Sequence, residues 1–380
     1  MAFLFYLIPS LFDYVLYGTF FIVGYRLAES GAGALTASSP MAVWGIIYAL
    51  SAPLVGRMTT EKNSGHLLRL SGWGTAVCSL LFILYNGVWA QLLLVAAMGV
   101  ISALYCVPFQ VRAGSSRCGA SPERAAGLYT FSWSVGTAAG SFGFGCLPDA
   151  AGFCVNALIG ILMVVFIRQG KNYETRNEEK VSPVDGNVPE RMPQVWLFCG
   201  TAAFCMALTG ALLPLRGVEL RTGVFLSGAL LAVIRLVQGL LALAMIRCPH
   251  LMWGRGIFMC GTLTGVGGLL CWFLGSSIWS LFAGAVLFGL CGGIFYFSLV
   301  FHALSHREES GKYLGVNELI IGITGIAGPV VGGMAVQPLG VPAVFGICAL
   351  LLCIAGTAAP LLIPSDKILR NHSETIKERS

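Results

Sequence analysis

The sequence predicts an all-α membrane protein, with twelve transmembrane helices arranged as two six-helix bundles, and three observations carry that expectation. About twelve apolar stretches, each long enough to span as a helix, run along the chain. One polar loop, from Gly170 to Pro193, divides them six and six. Hydrophobic residues make up 56% of the 380 and charged residues only 11%, well below the quarter or so typical of a soluble domain. A run of about 20 apolar residues crosses a hydrocarbon core of roughly 30 Å as a helix, because every backbone group is then bonded within the segment.

The spans expected are 2–27, 39–56, 67–86, 90–112, 124–147, 150–168, 194–215, 222–246, 254–275, 278–303, 312–336 and 341–363. The first has no basic leader and is interrupted by Asp13, so it reads as a retained helix and not a signal peptide. Connections after the third, fifth, ninth and eleventh spans are a few residues long, which makes those pairs antiparallel neighbours. The domains expected are a bundle over 1–169, a cytoplasmic linker over 170–193, a bundle over 194–364 and a cytoplasmic tail over 365–380. The 49 glycines suit this solvent, where small residues let helix backbones approach.

The net charge of +6 could suggest a nucleic acid partner, but the placement of the cations explains it without one. Nineteen of the 23 Lys and Arg occupy every second connection and the C-terminal tail. The alternate connections hold Arg26, Arg216 and Arg221, and Arg235 stands inside a span. The positive-inside rule then puts both termini and the central loop in the cytoplasm, in a plasma or inner membrane. The 13 cysteines show no CxxC pair and read as small packing residues.

Laying the halves over each other with a shift of about 188 residues reveals a repeat. GLYTFSWSVGTAAGSFGFG from Gly127 falls on GVNELIIGITGIAGPVVGG from Gly315, matching Gly127, Gly140 and Gly145 with Gly315, Gly328 and Gly333. LYCVPFQVRA from Leu104 falls on IFYFSLVFHA from Ile294 with a two-residue change in loop length. Six spans per repeat leave both halves in the same orientation, as in parallel-repeat transporters.

With six plus six spans, a charged central loop and cytoplasmic termini, the chain resembles the major facilitator superfamily over essentially its whole length. After the second helix that family carries Gly, an Asp-Arg pair and further basic residues. Here Gly56-Arg57 opens GRMTTEKNSGH, and Thr60-Glu61 stands where Asp-Arg would. Gly328-Pro329-xx-Gly332-Gly333 resembles the GPxxGG pattern of antiporters, but it lies in the eleventh helix and not the fifth, and reads as a kinked close-packing surface. The resemblance implies that helices one, four, seven and ten line the pathway, with two, five, eight and eleven flanking it.

Ionisable groups inside a membrane are costly and mark functional sites. Asp13 and Arg235 lie about eleven and thirteen residues into their helices, near mid-bilayer. A lone carboxylate there needs a proton or a cationic partner, and Arg235 needs a carboxylate or an anionic substrate. Substrate contact and a fixed ion pair, with Asp13 or Glu318, are both open. Asn317 and Glu318 are candidates for gating or coupling, and Tyr48, Tyr129, Trp133 and Gln238 for shaping the pocket. Arg112 marks the inner end of the fourth helix. His302 and His306, four apart, could hold a metal, but at a helix C-terminus they also complement the dipole, so neither metal nor cofactor is expected.

The expected function is secondary active transport of a small solute by alternating access, by a monomer, with protons as candidate coupling ions. The mid-membrane arginine leans towards an anionic or zwitterionic organic cargo. A proton-coupled drug or cation efflux antiporter is the alternative. A polytopic membrane enzyme is the reading from a different class, against which stand five histidines without HExxH, no GxSxG and no nucleotide-binding Gly-Lys pattern.

Overall fold

Hydrocarbon offers backbone groups no partner, so each apolar stretch closes its own hydrogen bonds as a helix. In the computed structural model, which describes residues 2–115, 121–169, 191–306 and 310–361, twelve α-helices run in order. They are α1 Ala2–Glu29, α2 Ala34–Met58, α3 Glu61–Leu84, α4 Val88–Ser115, α5 Pro122–Cys146 and α6 Asp149–Gln169. The second half has α7 Met192–Glu219, α8 Gly223–Met245, α9 Arg255–Leu274, α10 Ile278–Ser305, α11 Ser310–Leu339 and α12 Val341–Leu361. Most of the central loop and the C-terminal tail lie outside the described residues.

Two helix starts differ from expectation by five residues or more. α2 begins at Ala34, five residues early, and carries Pro40 inside it. Pro40 cannot donate to the Thr36 carbonyl, and the Ser39 hydroxyl does so instead at 2.8 Å. α3 begins at Glu61 and not at 67, because Thr60 and Asn63 form a capping box: the Asn63 amide donates to Thr60 Oγ1 at 3.3 Å and the Thr60 amide to Asn63 Oδ1 at 2.7 Å. A 3-10 turn, Pro249–Trp253, sits between α8 and α9.

Eleven of the helices are long and apolar enough to cross a membrane on composition alone. The remaining one, α5, is rich in Gly, Ser and Thr, and it is covered by α1 and α8, so lipid does not set its composition. The chain is a multi-pass integral membrane protein.

Each half has its own core. Phe12, Val15, Phe82, Val95, Phe144, Phe153 and Met163 anchor one; Phe198, Phe258, Trp272, Phe288 and Phe345 anchor the other. The repeat reappears as paired close approaches. A methyl added at Gly140 would run into the Tyr14 carbonyl of α1, and one at Gly328 would lie 2.9 Å from the Phe204 carbonyl of α7. One residue on, the Ser141 carbonyl faces Gly228 of α8, while the Pro329 carbonyl accepts from Ser38 of α2 at 3.0 Å. The two bundles are thus pseudo-symmetric, and their most extensive mutual contacts are α5 on α8 and α2 on α11, with α5 on α10 and α1 on α7 adding smaller ones.

The ends of the molecule differ in charge. Most described Lys and Arg gather where α2 meets α3, α4 meets α5 and α8 meets α9 and at the end of α6 and the starts of α7 and α11, hereafter the basic end. At the opposite end Arg26 is paired with Asp149 at 2.5 Å and Arg216 with Glu219 at 3.0 Å.

Candidate functional site

Arg235 is the centre of the site. Twelve residues into α8, it is 7% exposed. Its Nη1 donates to Gln238 Oε1 at 3.0 Å, and Gln238 Nε2 donates in turn to Ser134 Oγ of α5 at 2.7 Å. The guanidinium lies 5.4 Å from the Tyr17 ring centroid and 5.8 Å from that of Trp133, within cation–π range. Tyr296 of α10 lies within electrostatic reach of it and meets Trp133 edge to face at 4.5 Å. Both bundles therefore contribute to one cage.

Asp13 of α1 acts on Arg235 electrostatically, yet the two form no ion pair. Half-buried, Asp13 also acts on Tyr17, Tyr105, Cys106, Tyr129 and Tyr296, which come from α1, α4, α5 and α10. The fixed Asp13–Arg235 pair left open by the sequence is therefore not formed among the described residues.

Towards the end opposite the basic one, the space above Arg235 shrinks to about 40 Å³, room for a few waters, between Tyr17, Phe20, Met41, Thr137, Met206 and Pro214. Beyond it Ser38 and Pro329, and Ser141 and Gly228, seal the bundles, and α1 packs on α7. α4 and α10 make no comparable contact among the described residues. Tyr129 is 39% exposed and Glu318 is exposed, although they lie seven and eight residues into α5 and α11. Glu318 acts on Tyr48, Cys106, Tyr129 and Tyr296, from four other helices, so it faces a central cavity and not the lipid. That cavity opens at the basic end.

The other candidates divide. Tyr48 is stacked on Trp44 at 5.2 Å and lies within electrostatic reach of Cys106 and Glu318, on the cavity wall. Asn317 is turned away: it accepts from Trp196 Nε1 at 2.9 Å and donates to the Leu299 carbonyl at 2.9 Å, tying α7, α10 and α11 together. His302 Nε2 contacts the Met252 carbonyl at 3.2 Å between the Trp253 and Phe301 rings, holding the 3-10 turn to α10. Gly328 and Gly332 fit α11 to α7, and Pro329 and Gly333 fit it to α2. Gly56 and Arg57 are exposed at the basic end. Arg112 lies in α4, its side chain outside the described residues.

Sequence reasoning missed Ser134, Tyr105 and Cys106. Tyr105 and Cys106 lie in the fourth helix, which the family resemblance puts on the pathway, and that placement was the available signal. Among the described residues no three His, Cys, Asp or Glu side chains are grouped as a metal would require.

Residues 253–379 match the sequence model of the Major Facilitator Superfamily. No curated protein matches the chain in sequence. In three dimensions it is similar to the human organic anion transporter MFSD10 (TETRAN), with a TM-score of 0.68 at 14% identity over 93% of this chain and 98% of that one. It is also similar to the nucleoside transporter NupG, with a TM-score of 0.69 at 12% identity over 95% and 99%. At these identities the likeness establishes the fold alone.

Proposed function

We propose that this chain, which shares the fold of the transporters MFSD10 and NupG and matches the Major Facilitator Superfamily sequence model over residues 253–379, is a major facilitator superfamily secondary transporter of a small organic anion or zwitterion. One observation carries the reading: Arg235, buried at mid-membrane between both bundles, is hydrogen-bonded to neutral Gln238 and forms no ion pair among the described residues. A guanidinium has five donors and does not give up its proton, so a buried one without an ion pair is a site for an anion. That MFSD10 is an organic anion transporter agrees with this lean.

Alternating access follows from the seal at one end and the cavity at the other. The rocking units are residues 1–169 and 194–364, acting as a monomer. The positive-inside rule places the basic end and both termini in the cytoplasm of a plasma or inner membrane, so the conformation described is inward-facing.

Asp13 supplies a rationale for proton coupling. While ionised it competes with an anion for Arg235; once protonated it leaves the guanidinium unopposed. Proton and anion then bind together, as in symport. The second reading, exchange of an organic cation against protons, is favoured by Glu318, a cavity carboxylate with no ion pair among the described residues.

Purified protein in proteoliposomes, offered organic anions, zwitterions and cations under an imposed pH gradient, tests these readings. Anion uptake driven by an inward proton gradient and lost in Arg235→Gln is the expected result. Cation movement that survives Arg235→Gln but not Glu318→Gln would replace it with the second reading. Chemical conversion of a solute without its movement would favour an enzyme.

A further inference from the structure

The two seams between the bundles are not alike. Along α5 and α8 contact runs from end to end: Gly145 against Phe225, Ser141 against Gly228, Ser134 against Gly239, and Gly127 against Ala242 and Ile246. Those α5 positions cover about 27 Å of helix, most of a hydrocarbon core. Along α2 and α11, the close approaches at Gly333, Ser38 and Gly45 lie towards the sealed end. Leu35 lies beside Gly333, the Ser38 hydroxyl bonds the Pro329 carbonyl at 3.0 Å, and Gly45 meets Ile326.

Past that last close approach the same strip of α11 continues, at three- to four-residue spacing, through Gly322 to Glu318. It is more open there. A methyl added at Gly322 would have no atom within 4 Å, and Glu318 is exposed. The facing strip of α2 continues to Ala49, also exposed, and beside it Leu50 is 65% exposed. On α11 the neighbours of the strip are Leu319 and Ile323, 60% and 56% exposed. The cavity therefore has a side opening with apolar margins, at the basic-end half of the α2–α11 seam only. In a membrane-embedded protein that side faces acyl chains.

We propose that the cargo is an amphipathic organic monoanion, loaded sideways from the leaflet at the basic end, with its head on Arg235 and its apolar tail lying out between α2 and α11. The inference rests on Arg235 as the anion site and specifies what kind of anion it takes. A tail in the opening stays out of water, and each methylene kept there is worth about fourfold in affinity at most. Glu318, at the margin of the opening, discriminates against a head with a second negative charge. The closed α5–α8 seam leaves one direction for the tail.

The test uses n-alkyl sulfonates from butyl to dodecyl, which carry one permanent charge and do not cross lipid by protonation, in proteoliposomes of the full chain. The wild-type protein should transport them with apparent affinity rising along the series. Gly322→Phe and Ala49→Phe, which fill the opening from its two sides, should lower dodecyl transport about tenfold or more while butyl transport stays within about twofold, a result that also shows the variants are folded. Equal effects on both ends of the series, or none, would overturn sideways loading and leave the anion site standing. So would a wild-type protein that moves butyl but not octyl or dodecyl sulfonate, an outcome needing no variant. Transport of the whole series unchanged in Arg235→Gln would sink the anion reading itself.

Discussion

Arg235 and Asp13 face each other across the bundle interface without pairing: the guanidinium spends its Nη1 on Gln238, 3.0 Å away, and Asp13 is left within electrostatic reach but outside ion-pair distance. A buried ion pair would lock the two bundles in one arrangement. A cation held by neutral groups near an acid can instead exchange partners, which is what a carrier requires.

Gln238 is the part that keeps the two apart. Gln238→Leu removes the acceptor from Arg235 and the donor from Ser134, so Arg235 should swing towards Asp13. A hydrogen bond to a charged group is worth about 1.5–3 kcal/mol, so apparent affinity for the anion should fall roughly ten- to a hundredfold, read as KM in proteoliposome uptake. Ser134→Ala, which leaves the Gln238–Arg235 bond intact, should cost less.

Proton dependence should trace to Asp13. Lowering pH neutralises its carboxylate and relieves Arg235, so anion uptake should rise as pH falls. The groups acting on Asp13 are Arg235, Tyr17, Tyr105, Cys106, Tyr129 and Tyr296, and Arg235 alone among them is cationic. In Asp13→Asn the uptake-versus-pH curve should flatten. A curve as steep as wild type would assign the proton elsewhere.

Adjacent residues on α11 should behave oppositely. Asn317→Ala strands the Trp196 N–H, costing about 1–3 kcal/mol, and removes a second donor from the helical Leu299 carbonyl, so it should lower Tm with little change in KM. Glu318→Gln, on a side chain open to the cavity, should leave Tm nearly unchanged and alter transport.

That pair also marks how far the residues speak for themselves. Consecutive positions on an α-helix point about 100° apart, so two polar neighbours that look like one motif belong to different faces. Helix number and most boundaries are legible because hydrocarbon forces long apolar runs. The starts of α2 and α3 are not, since a serine hydroxyl rescues Pro40 and a capping box lies hidden in a polar turn. Asp13, Arg235 and Glu318 stand out because charge is rare in such runs. Ser134, Tyr105 and Cys106 do not, because small polar and aromatic residues also fill ordinary helix contacts.

The seal should be sensitive where glycine touches backbone and tolerant where it does not. Gly328 sits 2.8 Å, in terms of an added methyl, from the Leu208 amide, so Gly328→Leu should destabilise by about 1–3 kcal/mol or more through overpacking. Gly322 faces open space, so Gly322→Ala should be neutral or stabilising by up to about 1 kcal/mol, the usual gain for replacing a helical glycine. Thermal unfolding of the purified variants reads both.

The most direct measurement is uptake of a small organic monoanion by proteoliposomes containing wild type, Arg235→Lys or Arg235→Gln, with Tm recorded for each. If Arg235 is the anion site, wild type transports, Lys retains a reduced rate because the charge remains without the planar fork, and Gln falls to background while still folded. Wild-type uptake by a folded Arg235→Gln protein would contradict the account.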